Sequence, residues 1–156
     1  MELAELMAEF AGKFGIDGLA ADAEGVYRLD ADGMDFAIAD GEDGLHLVIW
    51  ADLGEVPPEG RERLLDVLMQ AMYMGQQTSG ACFSIHDGTV YLHQFETLAD
   101  MDLERFKVFL EKFINTYSTW RAAIADFNSV LPDIVQHVQE QAIEARSLEA
   151  AGFIRV

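Results

Sequence analysis

Apolar residues recur three or four positions apart, the spacing of an amphipathic helix, in four stretches of the chain. The pattern predicts helices over residues 2–14, 59–75 and 103–126, and a weaker amphipathic helix over 133–150. Gly15 follows the first helix, in the position where a glycine commonly ends a helix. Asp100 or Asp102 can cap the third helix, because a carboxylate there accepts a hydrogen bond from a free backbone N–H.

Between these helices, apolar and polar positions alternate in the manner of β-strands. The alternation predicts five strands, at residues 25–30, 34–39, 45–51, 81–86 and 89–96. Asp32-Gly33 and Asp87-Gly88 are two-residue hairpin signals that join neighbouring strands. The element order is therefore α-β-β-β-α-β-β-α plus a C-terminal helix, which predicts an α+β fold with an antiparallel five-stranded sheet.

The third predicted strand is apolar on both of its faces. Leu45, Leu47 and Ile49 point to one side, and Val48 and Trp50 point to the other. Such a strand is either covered on both sides or presents an apolar face that still needs a cover. We therefore expect it to be the central strand, with the rest of the chain packed around it.

No linker, repeat or low-complexity tract divides the chain. The sequence therefore predicts one domain, in which residues 1–126 form the α+β part and residues 127–156 form a C-terminal helical extension. Asn128 to Pro132 mark the break between the two parts. We expect the extension to pack on its own subunit or on a partner through Ile134, Val138 and Ile143.

The charge of the chain limits the classes of partner that it is expected to bind. Acidic residues number 28 against 10 basic ones, a formal net charge of −18. Phosphate binding needs lysine and arginine, so this balance argues against nucleic acid and anionic membranes as partners. It permits a basic partner and helps to keep apolar surface in solution.

No apolar stretch is long enough to span a bilayer. Cys82, the only cysteine, cannot form an internal disulfide, so we expect a buried structural thiol and a cytoplasmic location.

Catalytic, metal and cofactor motifs are not evident. The four histidines have no metal-ligand spacing: His46, His86, His93 and His137. Residues 30–35 resemble the start of a calcium loop, but the glycine and glutamate that such a loop needs are missing at its sixth and twelfth positions. One enzymatic interpretation stays open. It uses Asp52 or Glu55 near the turn from strand to helix, and it requires a concave polar pocket there.

Several stretches, in this order and spacing, resemble the class I type III secretion chaperones, the CesT or Tir-chaperone family. The resemblance covers about residues 1–125. Its carriers are the leucine-rich strand and turn 45–57, the segment Met69-Gln70-Ala71-Met72-Tyr73-Met74-Gly75-Gln76, the segment 78–85 with Asp87-Gly88, and the helix ending near Trp120. The resemblance implies a non-enzymatic homodimer. It would bind the N-terminal region of a secreted effector and keep that region extended and secretion-competent.

The resemblance also implies two sets of site residues. The dimer contact would lie on the second helix and fourth strand, at Met69, Met72, Tyr73, Phe83 and Ile85. Effector-binding residues would lie on the first helix and the exposed sheet face, at Leu3, Leu6, Phe10, Phe36, Val48 and Trp50. The competing hypothesis is a stand-alone protein-interaction or regulatory domain of the same fold that is not tied to secretion.

Overall fold

The computed structural model describes residues 2–31 and 33–126. The helices are α1 (Leu3–Phe14), α2 (Arg61–Ala71) and α3 (Leu103–Ala125), and a short 3₁₀ turn (Tyr73–Gly75) follows α2. The strands are β1 (Tyr27–Ala31), β2 (Met34–Asp40), β3 (His46–Glu55), β4 (Cys82–His86) and β5 (Thr89–Thr97). This order confirms the predicted α+β fold. The helix predicted over 133–150 lies outside the described residues.

The five strands form one antiparallel sheet in the order β1-β2-β3-β5-β4. Both predicted hairpins are present. Gly33 has φ +79°, and Asp87 and Gly88 have φ +48° and +80°, the left-handed values that a tight hairpin turn requires. β3 lies at the centre of the sheet, as predicted. Its second neighbour is β5 rather than β4, so β4 becomes an edge strand.

β3 is longer than the predicted 45–51 and is shifted along the chain. Leu45 precedes the strand and is exposed, so the predicted start of the strand at Leu45 and its place on one strand face with Leu47 and Ile49 are not observed. At the other end the strand continues through a bulge between Asp52 and Gly54 to Glu55. Gly54 has φ +124°, and its N–H donates to the Asp52 carboxylate at 2.6 Å. The bulge accounts for the break in the alternation of apolar and polar residues between Asp52 and Gly54.

One face of the sheet is covered by helices and forms the core. Leu47, Ile49 and Ala51 of β3 are buried in the same cluster as the inward side chains of α1 and α3. Asp102 begins α3, and its carboxylate accepts the Arg105 N–H at 2.8 Å, which confirms one of the two predicted caps. Trp120 is almost completely buried, and its Nε1–H donates to the Gln77 carbonyl at 3.1 Å. The hydrophobic core therefore lies on one side of the sheet, between the strands and the helices.

α2 is shorter than the predicted helix over 59–75. It ends at Ala71 because Met74, with φ +54°, turns the chain out of helical geometry. Leu64, Val67, Leu68 and Ala71 face the core, whereas Met69, Tyr73 and Met74 are exposed. The sequence of this helix is apolar most of the way round, but the described residues of one subunit bury only one of its faces. In the described ranges, no helix is long and apolar enough to cross a membrane.

Candidate functional site

The second face of the sheet, here called the outer face, carries apolar side chains that the described helices do not cover. On β3, the partly exposed Val48 and Trp50 alternate with fully buried neighbours. Strand register places Val48 opposite Phe95 and Trp50 opposite His93 of β5. Phe95 is 59% exposed, an unusual state for so large an apolar side chain near the middle of a sheet. The two central strands thus share one open apolar surface.

The sequence builds this surface by simple alternation. Val90 and Leu92 point into the core, which sends Tyr91, His93 and Phe95 to the outer face. Phe95 and His93 meet edge to face with ring centroids 5.9 Å apart. Ser84 Oγ lies 3.3 Å from His93 Nδ1. Partial burial lowers the pKa of His93, so its ring stays neutral at neutral pH. The centre of the outer face is therefore uncharged in a very acidic protein.

At one end of the outer face lies a groove. The pairing of β2 with β3 stops at Ala37 and Trp50, although β3 continues to Glu55. A groove of about 590 Å³ occupies this region, and its walls include Arg28, Asp30, Asp35, Trp50, Asp52 and Tyr91. Two aromatic side chains thus adjoin three carboxylates and one guanidinium. Such a lining can accept apolar side chains together with basic or N–H groups of a bound chain.

Asp52, the carboxylate of the enzymatic interpretation, lies in this groove and also has a structural role. It accepts the Gly54 N–H within the bulge, and its Oδ1 lies 3.7 Å from Arg121 Nη1. Arg121 also donates to the Asp52 backbone carbonyl at 3.1 Å. Glu55 is exposed and is not part of the groove lining. Among the described residues, no group of three or more possible ligands is arranged to hold a metal ion.

A second exposed apolar surface, here called the α2 patch, consists of Met69, Tyr73 and Met74. It adjoins the edge strand, because the Phe83 N–H donates to the sulfur of Met72 at 3.2 Å. The five predicted dimer residues thus come from adjoining elements. Met69 and Tyr73 are exposed, and Met72, Phe83 and Ile85 are partly buried. Phe83 packs edge-on against Trp120 with ring centroids 4.9 Å apart, so it also belongs to the core.

The six predicted effector-binding residues fall into two groups. Val48 and Trp50 lie on the outer face, but the other four are buried in the subunit's own core: Leu3, Leu6, Phe10 and Phe36. The apolar stripe of α1 packs inward, as Phe10 shows by meeting Phe106 edge to face at 5.3 Å. As folded here, those four side chains are not open to a partner. Their role in effector binding stays a prediction.

Sequence reasoning missed Tyr91, His93 and Phe95, although the alternation of residues 89–96 contains the signal. It also placed Cys82 wrongly. The thiol is exposed, because Phe83 and Ile85 of β4 turn toward the core and leave Cys82 on the other face. Register sets Cys82 opposite His93, so it too belongs to the outer face.

Comparison with known proteins identifies the family to which this chain belongs. Residues 5–121, which include all of β1–β5 and most of α3, match the Tir chaperone protein (CesT) family. The chain belongs to the CesT family. The resemblance predicted from the sequence is thereby confirmed, and the protein is a chaperone by family. Residues 127–156 lie beyond the match.

Solved structures share the fold of this CesT family member. The ExsC–ExsE complex contains a chain that is 25% identical, with a TM-score of 0.66 and coverage of 80% of this chain and 97% of that chain. The HopA1–SchA chaperone–effector complex gives 14% identity and a TM-score of 0.63, covering 77% and 93%. The heterodimeric ExoU–SpcU complex of the Pseudomonas aeruginosa type III secretion system gives 15% and 0.59, covering 78% and 97%. A comparison with curated protein sequences found no match.

Proposed function

We propose that this CesT family chaperone binds the N-terminal region of a type III secreted effector on the outer face of its sheet. Binding would keep that region extended, soluble and competent for secretion, without enzymatic chemistry. The supporting observation is the open apolar surface formed by Val48, Trp50 and Phe95, which the described helices leave uncovered. The family assignment favours this function over a stand-alone interaction domain unrelated to secretion.

An extended polypeptide suits the outer face physically. Its side chains alternate as those of a strand do, so every second one can enter the groove or lie against the aromatic rings. The groove supplies the Asp35 carboxylate and the second carboxylate oxygen of Asp30 as partners for basic side chains or backbone N–H groups. Oδ1 of Asp30 accepts the Gly33 N–H, and Asp52 is engaged by the Gly54 N–H and Arg121. The net charge of −18 also disfavours the self-association that an exposed apolar face would otherwise promote. Both features favour a client that is apolar with some basic residues.

The α2 patch provides a separate surface for a second copy of the chain. Met69, Tyr73 and Met74 are exposed beside the edge strand, and methionine side chains adapt readily to an irregular partner. A homodimer formed here would leave the outer face of each subunit available to the effector. The acidic charge argues against nucleic acid and membrane partners, and the single cysteine is compatible with the cytoplasm.

The test begins with co-purification from the native host and identification of the protein that is retained. The N-terminal segment of that protein is then titrated into three chains: wild type, Trp50→Asp and Met69→Asp. Trp50→Asp places a charge on the outer face and is expected to abolish effector binding while leaving the dimer intact. Met69→Asp is expected to yield monomers in light scattering. Effector binding that survives Trp50→Asp unchanged would refute the proposed surface.

A further inference from the structure

The groove end of the outer face differs from the rest of that face in charge. Strand register places Asp30 opposite Asp35 and Asp52 opposite Tyr91. Continuing the register of β2 with β3 beyond its last pair brings Asp35 to the level of Asp52. All three carboxylates are exposed and line the groove. They form one row across the strands, here called the acidic row.

Two uncharged rows follow the acidic row along β3 and β5. The first contains Trp50 opposite His93, and the second contains Val48 opposite Phe95. Neighbouring rows are two residues apart, which is about 7 Å along a strand. Alternate side chains of any extended polypeptide have the same repeat. A client that lies along the strands therefore places its residues i, i+2 and i+4 over the three successive rows.

The acidic row contains carboxylate oxygens that the described residues do not neutralise. Asp30 Oδ1 accepts the Gly33 N–H at 3.3 Å, which holds this carboxylate in place and leaves Oδ2 open. Among the described residues, no ion pair engages Asp35, and the two arginines nearest the groove are paired with Asp22 and Asp52. Like charges directly opposite each other on neighbouring strands destabilise a sheet. A cation supplied by a partner would relieve this repulsion.

We propose that the acidic row is a specificity-determining subsite that binds an arginine of an extended client, two positions away from an apolar residue that lies on Trp50. The planar guanidinium has N–H groups on more than one side, so it can donate to Asp30 and Asp35 together. Its plane can also lie against the ring of Trp50 or Tyr91, and the groove of about 590 Å³ has room for the side chain. This inference rests on the proposed function and adds the order of residues that a client needs.

Charge favours a basic client segment over the other occupants of this row. A second copy of the chain would bring 28 acidic residues against 10 basic ones. In the described ranges, no group of three or more possible ligands could hold a metal ion. The net charge of −18 attracts any basic segment to the whole surface. Only a localised row, however, can discriminate between clients by the position of their basic residue.

The test uses the full chain and two synthetic peptides of equal length and composition. In the first peptide, an arginine stands two positions to either side of a leucine-threonine-phenylalanine core, so the pattern is nearly the same in both chain directions. In the second peptide, each arginine is moved outward by one position, which turns it to the opposite side of an extended chain. Binding is followed by the shift of the Trp50 indole N–H signal. We expect the first peptide to bind about fivefold more tightly, as an exposed ion pair allows.

Asp35→Asn and Asp40→Asn are matched variants of the chain. Each removes one exposed carboxylate from β2, but Asp40 lies at the far end of that strand from the acidic row. The preference for the first peptide should disappear in Asp35→Asn and remain about fivefold in Asp40→Asn. Urea midpoints verify that both variants remain folded.

The possible outcomes separate this subsite from the proposed function. Equal dissociation constants for the two peptides, or a preference that survives Asp35→Asn, overturn the subsite. Equal weakening of both peptides in the two variants would reveal only general attraction to an acidic surface, and it overturns the subsite as well. So does a peptide pair that leaves the Trp50 signal in place. The proposed function is decided separately, by titration of the co-purified effector segment into wild type and Trp50→Asp.

Discussion

Phe95→Ala removes the most exposed aromatic side chain of the outer face and tests whether that face holds the effector. Phe95 is 59% exposed, and an aromatic side chain offers roughly 150–250 Å² of surface, so about 120 Å² is open to a partner. Complete coverage of this area is worth about 3 kcal/mol at 25 cal/mol per Å². Alanine keeps part of the contact, so we expect a loss of about 2 kcal/mol, or a dissociation constant about thirtyfold weaker.

The assay is calorimetric titration with the N-terminal segment of the co-purified effector. Val108→Ala is the matched control, because Val108 is also an exposed apolar residue but lies on α3, the helix that covers the opposite face of the sheet. The urea midpoint should change little, because Phe95 is exposed. An unchanged dissociation constant for Phe95→Ala, or an equal loss for Val108→Ala, would refute the reasoning.

The remaining predictions concern the scaffold and its pH dependence. Trp120→Phe removes the donor to the Gln77 carbonyl and part of a buried ring, so urea unfolding should show a loss of about 2–4 kcal/mol; a loss below about 0.5 kcal/mol would contradict the packing. Asp102→Ala removes the cap of α3 and should cost about 1 kcal/mol, with Asp102→Asn retaining most of it; equal losses would show that the cap does not matter. Because burial lowers the pKa of His93 below 6.5, its contribution to stability is present above pH 6.5 and is lost as the pH falls through the lowered value. His93→Gln should therefore lose less stability than wild type between pH 7.5 and 5.5, and identical pH profiles would argue against the assignment.

Local signals in the sequence predicted most of the fold. The hairpins at Asp32-Gly33 and Asp87-Gly88 needed only turn chemistry, and Gly15 ends α1 with φ +64° as expected. The errors arose where one residue departs from the pattern. The bulge at Gly54 lengthens β3, and the left-handed Met74 shortens α2. Gly54 marks a break in the alternation but does not show that the strand continues beyond it, and the left-handed Met74 has no signature in a single sequence because non-glycine residues rarely adopt positive φ.

The candidate site was harder to predict than the fold. An apolar stripe shows that one face of an element is buried, but it does not show against what it is buried. The resemblance to the chaperone family assigned Leu3, Leu6 and Phe10 of α1 to effector binding, whereas in the described subunit these side chains fill the core. The doubly apolar β3 left open whether its second face would be covered, and the described residues leave Val48 and Trp50 on that face partly exposed. The sequence did not show that this face extends onto β5. That extension depends on the strand order, in which β3 pairs with a strand from a distant part of the chain.

The two tryptophans allow a direct test of the central claim that the outer face binds the effector. Trp50 lies partly exposed on that face, whereas Trp120 is buried and its Nε1–H is bonded to the Gln77 carbonyl. In a ¹H–¹⁵N spectrum each tryptophan gives its own indole N–H signal. On addition of the effector's N-terminal segment, the signal of Trp50 should shift while that of Trp120 stays in place. A saturating titration in which the Trp50 signal does not move would contradict the account.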